Sequence, residues 1–305
     1  MPTADPSASP RAPRGALLGV ADPDDERLVE FRQLNDPAFR RRVEQDQSIF
    51  VVEGRVAVRQ LLESSYQIHS LFVDEHQASA AADLVEAVRA AGAPVYVAPP
   101  QVMAATAGFD LHRGLVAVAA RPAPAHPTQI VADAILTPSA LGGPPLIAVL
   151  EGVNDAENIG AIFRNAAAFG VTAVLLDPTS GDPLYRRSVR VSVGHVLHVP
   201  FARLSPWPTA LDQLRSAGFL VAALAPAWRA GDGPPSLPVS ALAARRPAAV
   251  ALLLGAEGPG LSSPALDAAD VIVSIPMAPG VDSLNVATAA AIAFQMLSHP
   301  RPEDS

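Results

Sequence analysis

"LIAVLEGVNDAENIGAIFRNAAAFGVTAVLL" (Leu146–Leu176) holds a complete strand–helix–strand unit. Leu146–Leu150 and Thr172–Leu176 are unbroken apolar runs of strand length. Strands without polar alternation need cover on both faces, the mark of a parallel sheet. Between them, Asn158–Phe169 repeats apolar residues at helical spacing, with Ile159, Ile162, Phe163, Ala166 and Phe169 around most of its circumference. A helix of that pattern is expected to be buried. Yet Arg164 stands in its middle, with Asn158 and Asn165 a turn or two away.

The alternation continues in both directions. Val196–Phe201, Phe219–Ala225, Ala248–Leu254 and Val271–Ile275 read as further strands, and Ser283–Leu297 as a long final helix. Upstream, Ser48–Gly54, Ile68–Asp74, Pro94–Ala98 and Gly114–Ala120 read as strands, with helices at Arg55–Ser64 and Ala81–Gly92. The composition places a disordered tail over residues 1–24 and a small α/β domain over 25–122. A Pro- and Gly-rich linker with one short helix in "TQIVADAIL" follows over 123–145. A parallel-sheet α/β domain is expected over 146–299 and a short tail over 300–305. No internal repeat is present.

Composition excludes several chemistries. There is no cysteine, hence no disulfide, thiolate nucleophile or cysteine-bound zinc. All 22 basic residues are arginine. Without lysine there is no Walker A loop, Schiff-base chemistry or Ser–Lys dyad. Neither G-x-G-x-x-G nor G-x-S-x-G occurs, which speaks against a dinucleotide oxidoreductase and a serine hydrolase. No apolar run reaches membrane-spanning length, and the N-terminus has no signal-peptide core, so a soluble cytoplasmic protein is expected. His195 and His198 invite a metal, but on a strand they would point to opposite faces, and no metal site is expected. Net charge is −8, although arginines gather in Phe31–Arg42 and Tyr185–Arg190.

In open parallel sheets ligands bind in the loops beyond the carboxyl ends of strands. Three such loops are richly furnished. "EGVNDAEN" leads from Leu150 into the helix of Arg164. "GAEGPGLS" (Gly255–Ser262) follows Leu254, with glycines that let backbone approach a ligand and Glu257 at the turn. "PMAPGVDSLNV" (Pro276–Val286) follows Ile275 and ends where Asp282 or Ser283 can cap the final helix.

In order and content these segments resemble the three signature motifs of the SpoU family of RNA 2′-O-ribose methyltransferases, in the SPOUT superfamily. "NIGAIFRNAAAFG" is similar to the first motif, "LLLGAEGPGLS" to the second and "IPMAPGVDSLNVATAAAIAF" to the third. "DPLYRRSVRVSVGHVLHVPF" (Asp182–Phe201) resembles the family's variable middle, and the upstream domain its substrate-binding domain. One departure is Ala287, where the family often has serine, followed here by Thr288. That puts any role of a second hydroxyl in doubt.

The resemblance implies a SPOUT domain with a deep trefoil knot, a rare exception to unknotted chains. It implies S-adenosylmethionine as cofactor, held by Leu254, Gly255, Gly258, Ile275, Met277 and Leu284. It implies a catalytic set of Arg164, Asn158, Glu257, Ser283 and Asn285, with the last four orienting Arg164 and the ribose. The family's arginine has been proposed as a general base; a guanidinium that clamps phosphate and stabilises the developing alkoxide is the alternative. RNA (rRNA or tRNA) is the implied partner, together with a second copy of the chain in a homodimer. Arg40, Arg41, Arg42, Arg186, Arg187 and Arg190 are the candidates for phosphate contacts. The rival from another class is an RNA-binding or cofactor-sensing protein that keeps the fold without turnover.

Overall fold

In the computed structural model, the residues described are 13–111, 114–137, 139–226, 234–281 and 283–298, with the Arg41 side chain outside that set. The chain divides into two units. One comprises Met1–Pro122 with Leu184–Leu197, the other Ala123–Pro183 with His198–Ser305.

The first unit contains β1 (Leu17–Gly19), α1 (Pro37–Asp46), β2 (Ile49–Glu53), α2 (Arg55–Glu63) and β3 (Ile68–Asp74). It continues with α3 (Glu75–Ala80), α4 (Ala82–Ala90), β4 (Val95–Ala98), α5 (Pro100–Ala107) and β5 (Leu115–Ala120). The strands form one sheet in the order β1-β4-β3-β5-β2, parallel except around β5. Local chemistry sets the helix starts. Asp36 accepts from the amides of Ala38 and Phe39 ahead of Pro37-led α1, and Asp74 accepts from those of His76 and Gln77 to open α3. Phe31, Phe72 and Tyr96 pack ring to ring in the core.

The second unit holds α6 (Pro127–Leu136), β6 (Leu146–Glu151), α7 (Ala156–Ala168) and β7 (Ala173–Leu176). After β7 the chain forms α8 (Arg186–Val191), which belongs to the first unit. The second unit resumes with β8 (Phe201–Arg203), α9 (Leu211–Ser216), β9 (Leu220–Leu224), β10 (Ser236–Pro238) and α10 (Val239–Ala244). It ends with β11 (Val250–Gly255), α11 (Ser263–Asp267), β12 (Val271–Ser274) and α12 (Val286–Ser298). Its seven strands run in the order β10-β12-β9-β11-β6-β7-β8, every pairing parallel. The parallel sheet expected from the continuous apolar runs is therefore present. Ile147, Val149, Leu175, Ala251 and Leu253 point into one large core, where each buried aliphatic contributes about 1.5–3 kcal/mol. Phe163 is fully buried and meets Phe201 edge to face, centroids 5.6 Å apart. Among the described residues no helix is long and apolar enough to cross a membrane.

Four expectations are corrected. Leu17–Gly19 lies inside the expected tail but forms β1, because parallel pairing with β4 satisfies a backbone too short to show periodicity. Residues 123–145 are more than a linker, since Ile130, Val131 and Ala134 of α6 join the second unit's core. The expected strand Val196–Phe201 is instead a 3₁₀ turn at His195–Leu197 followed by β8. Val193 (φ 55°) and Gly194 (φ 85°) turn the chain there, and the Gly194 Cα lies against Ala57 and Gln60 of α2, where a Cβ would clash. The argument that His195 and His198 oppose each other on a strand falls with that strand. The fourth correction is Ser236–Pro238, a three-residue edge strand that carries no alternation of its own.

Candidate active site

The loops after β6, β11 and β12 leave the same edge of the parallel sheet. The first is shaped by Asp155, whose carboxylate accepts from the amides of Glu157 (2.6 Å) and Asn158 (3.3 Å) to start α7. Asn158, Ile159, Gly160, Ile162, Phe163 and Ala166 are buried on this helix. Glu157, Arg164 and Ala168 form its exposed stripe. Arg164 is thus not enclosed by apolar side chains. Among the described residues its guanidinium has no hydrogen-bond or ion-pair partner.

The loop after β11 is a closed turn. Gly260 N–H donates to Ala256 O at 3.0 Å, and the two residues form an isolated antiparallel bridge. Gly255 permits it, because a Cβ there would stand 2.3 Å from the Gly260 carbonyl carbon. Gly258 turns with φ +88°, and Glu257 is exposed beside it.

Asn285 joins the three loops. Its Nδ2 donates to Asn158 Oδ1 at 2.8 Å and to Glu257 Oε1 at 2.5 Å. Its Oδ1 accepts from the amides of Ala287 (3.0 Å) and Thr288 (3.1 Å), so Asn285 opens α12. That corrects the expected cap: Ser283 is exposed and outside this network, and Asp282 lies outside the described residues. Asp282 and Ser283 are good caps by type, but the helix starts later, at Val286, and Asn285 takes the role. Ala287 is buried and its carbonyl accepts from Asn165 Nδ2 at 2.9 Å, while the Thr288 hydroxyl reaches Asn285 Oδ1 at 3.4 Å.

Two carboxylates missed in the sequence hold the scaffold. Asp177, at the end of β7, accepts from Gly152 N–H (3.0 Å), Ser180 N–H (2.7 Å) and the Ser180 and Thr179 hydroxyls. Burial pushes this carboxyl's pKa up, but the bonds from Ser180, Thr179 and Gly152 outweigh it, and the net shift is downward. Glu151, at the end of β6, is buried and takes hydrogen bonds from Trp207 and Ser262. Neither belongs to a motif, and only their positions at strand ends mark them.

Of the residues read as a cofactor cradle, Leu254 is buried, Gly255, Ile275 and Met277 are half-buried, and Gly258 and Leu284 are exposed. Val281 is likewise exposed in the third loop, so the loop presents apolar side chains to solvent. Among the described residues no group of three His, Asp or Glu is placed to hold a metal ion.

The arginine clusters divide. Arg40 is 3 % exposed, bonded to the Glu30 carbonyl at 2.8 Å and to Glu44 at 3.3 Å, and burial lowers its pKa. Arg186 pairs with Glu53 at 2.9 Å and lies 5.1 Å over the Phe109 ring. Arg40 is committed to the first unit's interior, and the partly exposed Arg186 is engaged by Glu53 and Phe109, which corrects their assignment to phosphate. Arg42 and Arg187 are exposed, the latter with an interaction within the protein, and Arg190 stands 3.9 Å from Glu53. The Arg41 side chain lies outside the described residues.

Residues 145–295 match the model of the SpoU rRNA methylase family, and residues 51–125 that of the RNA 2′-O ribose methyltransferase substrate-binding domain. A tRNA/rRNA methyltransferase of Mycobacterium tuberculosis, itself uncharacterized, is 45 % identical over 275 residues, 90 % of this chain and 89 % of the relative. The 23S rRNA (guanosine-2′-O-)-methyltransferase RlmB of Ralstonia nicotianae is 31 % identical over 69 % of this chain and 78 % of its own. Among solved structures, the SpoU methyltransferase AviRb of Streptomyces viridochromogenes, in complex with AdoMet, superposes with a TM-score of 0.67 at 25 % identity. That superposition covers 87 % of this chain and 94 % of AviRb.

Proposed function

The chain belongs to the SpoU methylase family, and from that premise we propose that it transfers the methyl group of S-adenosylmethionine to a ribose 2′-hydroxyl of rRNA or tRNA. The observation that carries this reading is the junction at Asn285. One side-chain amide ties Asn158 of the first motif to Glu257 of the second, from the first turn of the third. A protein that kept only the fold would have little use for this polar junction together with an exposed Arg164 on the same helix as Asn158, unpartnered among the described residues.

The residues present fit the cofactor. The third loop offers Ile275, Met277, Val281 and Leu284 as apolar surface, Gly255 closes the second loop on itself, and Gly258 leaves its backbone open to close approach. When bound, S-adenosylmethionine supplies an electrophilic methyl on a sulfonium. The protein's part is to align the 2′-oxygen and to stabilise its developing charge. Arg164 does this as a bidentate donor to an RNA phosphate and to the 2′-oxygen. A guanidinium keeps its proton throughout, so the phosphate or a water accepts the one released. Asn158, Glu257 and Asn285 hold the ribose and α7 in register, and Ser283 lies in the same loop ready to meet the RNA.

Arg42, Arg187 and Arg190 remain as phosphate contacts once Arg40 and Arg186 are withdrawn. We extend the proposal to a C-terminal chain threaded as a trefoil knot and to a cytoplasmic homodimer. The half-exposed, small and apolar side chains of Ala289, Ala291, Ile292 and Met296 on α12 support a helix that packs against a second copy. The test is transfer of labelled methyl from S-adenosylmethionine to unmodified rRNA and tRNA transcripts. Label at a single linkage resistant to alkali is expected. Label on a base, or none on any transcript or ribosomal particle, overturns the reading.

A further inference from the structure

The eight residues Gly255–Ser262 carry Glu257, and both ends of the segment meet the same residue of β6. At the near end, Gly255 stands opposite Glu151 in the parallel β11–β6 ladder. At the far end, the Glu151 carboxylate takes Ser262: Oε2 accepts from the Ser262 amide at 2.8 Å, and Oε1 from its hydroxyl at 2.6 Å. The Ser262 hydroxyl also accepts from the Ala265 amide at 3.3 Å, so the contact fixes the start of α11 as well. Oε1 accepts a further bond, from Trp207 Nε1 at 2.6 Å. Trp207 packs part-buried against the second unit's core, in the segment after β8.

A buried carboxylate with three donors is fully engaged, and its geometry is set by rigid neighbours. The side chain needs the length of glutamate to reach Ser262 from a strand end. It also needs a negative, acceptor-only head, because all three partners donate. An amide there must turn its NH₂ toward at least one donor. We propose that Glu151 is a positioning residue for methyl transfer: it closes the second-motif loop on itself and keys that loop to Trp207, so the loop's shape toward the cofactor depends on Glu151. The inference rests on the cofactor reading given above. Glu151 touches neither reacting atom, and its effect passes through Ser262 and the backbone of Gly255–Leu261.

The test uses the full-length protein with Glu151→Gln and Trp207→Phe. The phenylalanine keeps an aromatic ring on the core and removes the N–H together with part of the indole's bulk. Amide hydrogen exchange at Ser262, S-adenosylhomocysteine affinity by calorimetry, and separate KM values for cofactor and RNA are the readouts. In Glu151→Gln the Ser262 amide is expected to exchange faster while β6 and β11 keep their protection. Affinity for S-adenosylhomocysteine falls about tenfold or more, and the KM for cofactor rises without a change in that for RNA. Trp207→Phe shows the same pattern at about threefold, and decides the matter if Glu151→Gln does not fold. Affinity within twofold of wild type in both variants overturns the proposal. So does a joint rise of both KM values with protection lost throughout the sheet, which marks general destabilisation. Wild-type protein that binds RNA but not S-adenosylhomocysteine overturns the cofactor reading itself, and this proposal with it.

Discussion

Arg40 and Arg164 both lie on helices of the chain, and they end in opposite surroundings. Arg40, on α1 of the first unit, is buried against Glu44 and the Glu30 carbonyl, within a network that also ties Glu30 to His69 and Ser70. Arg164, on α7 of the second, is exposed and has no partner among the described residues. In the first unit Arg40 serves the fold itself. Arg164 stands on the helix whose first turn carries Asn158, a member of the Asn285 junction. An arginine without a partner costs the fold nothing when exposed, and it is available to a ligand only in that condition. The difference separates residues that make the protein from residues that make it act.

The contrast can be broken at either end. The largest effect on the fold is expected at Arg40. Truncation to alanine removes a buried ion pair with Glu44 and the bond to the Glu30 carbonyl, and urea melts should show a loss of about 3–5 kcal/mol. A loss under about 1 kcal/mol would place Arg40 among ordinary surface charges. Next comes Asn285→Ser, which keeps an acceptor to cap α12 but removes the donor to Asn158 and Glu257. A hydrogen bond to a carboxylate is worth about 1.5–3 kcal/mol, so methyl transfer should fall about 10- to 100-fold. The melting temperature should barely move. Full activity in this variant would mean that the junction is scaffold alone.

Asp177 gives a smaller effect with a definite pH sign. Its pKa is lowered in the folded chain from an ordinary 3.8. Its contribution is therefore complete above that value and is lost as pH falls through the lower folded value. Asp177→Asn should destabilise by about 1 kcal/mol at neutral pH, and the deficit should shrink in melts toward pH ~2. A deficit independent of pH would contradict the cited hydrogen bonds. The smallest effect is on RNA affinity. Arg42→Ala and Arg190→Ala should each flatten the slope of log affinity against log salt by about 0.7, whereas Arg186, paired with Glu53, contributes nothing to it. A flatter slope in Arg186→Met, in protein that melts like wild type, would return Arg186 to the RNA surface.

Much of the second unit was legible in the sequence, because strands covered on both faces are written as apolar runs. Leu146–Leu150, Ala248–Leu254 and Val271–Ile275 could be nothing else between helices, and the loops behind them carried the motifs. What periodicity could not show were elements of three residues, β1 and β10, which exist through pairing alone. The Val196–Phe201 run misled for a different reason: its apolar residues pack as a turn once Val193 and Gly194 redirect the chain. Among site residues, Asn158, Glu257 and Asn285 were readable as types, but that one amide joins them was not. Burial defeated the reading of Arg40, and the ion pair with Glu53 that of Arg186. A run of arginines looks alike in sequence whether it faces solvent or a buried glutamate.

The central claim is that Arg164, unpartnered among the described residues, serves the RNA. Its most direct test is the single-turnover rate of labelled methyl transfer by Arg164→Ala, at saturating cofactor and beside wild type. The account predicts a rate lower by about 10²- to 10³-fold, the scale of losing one charge-stabilising donor, with unchanged S-adenosylhomocysteine affinity and melting temperature. A rate within about threefold of wild type, well short of that loss, would contradict it.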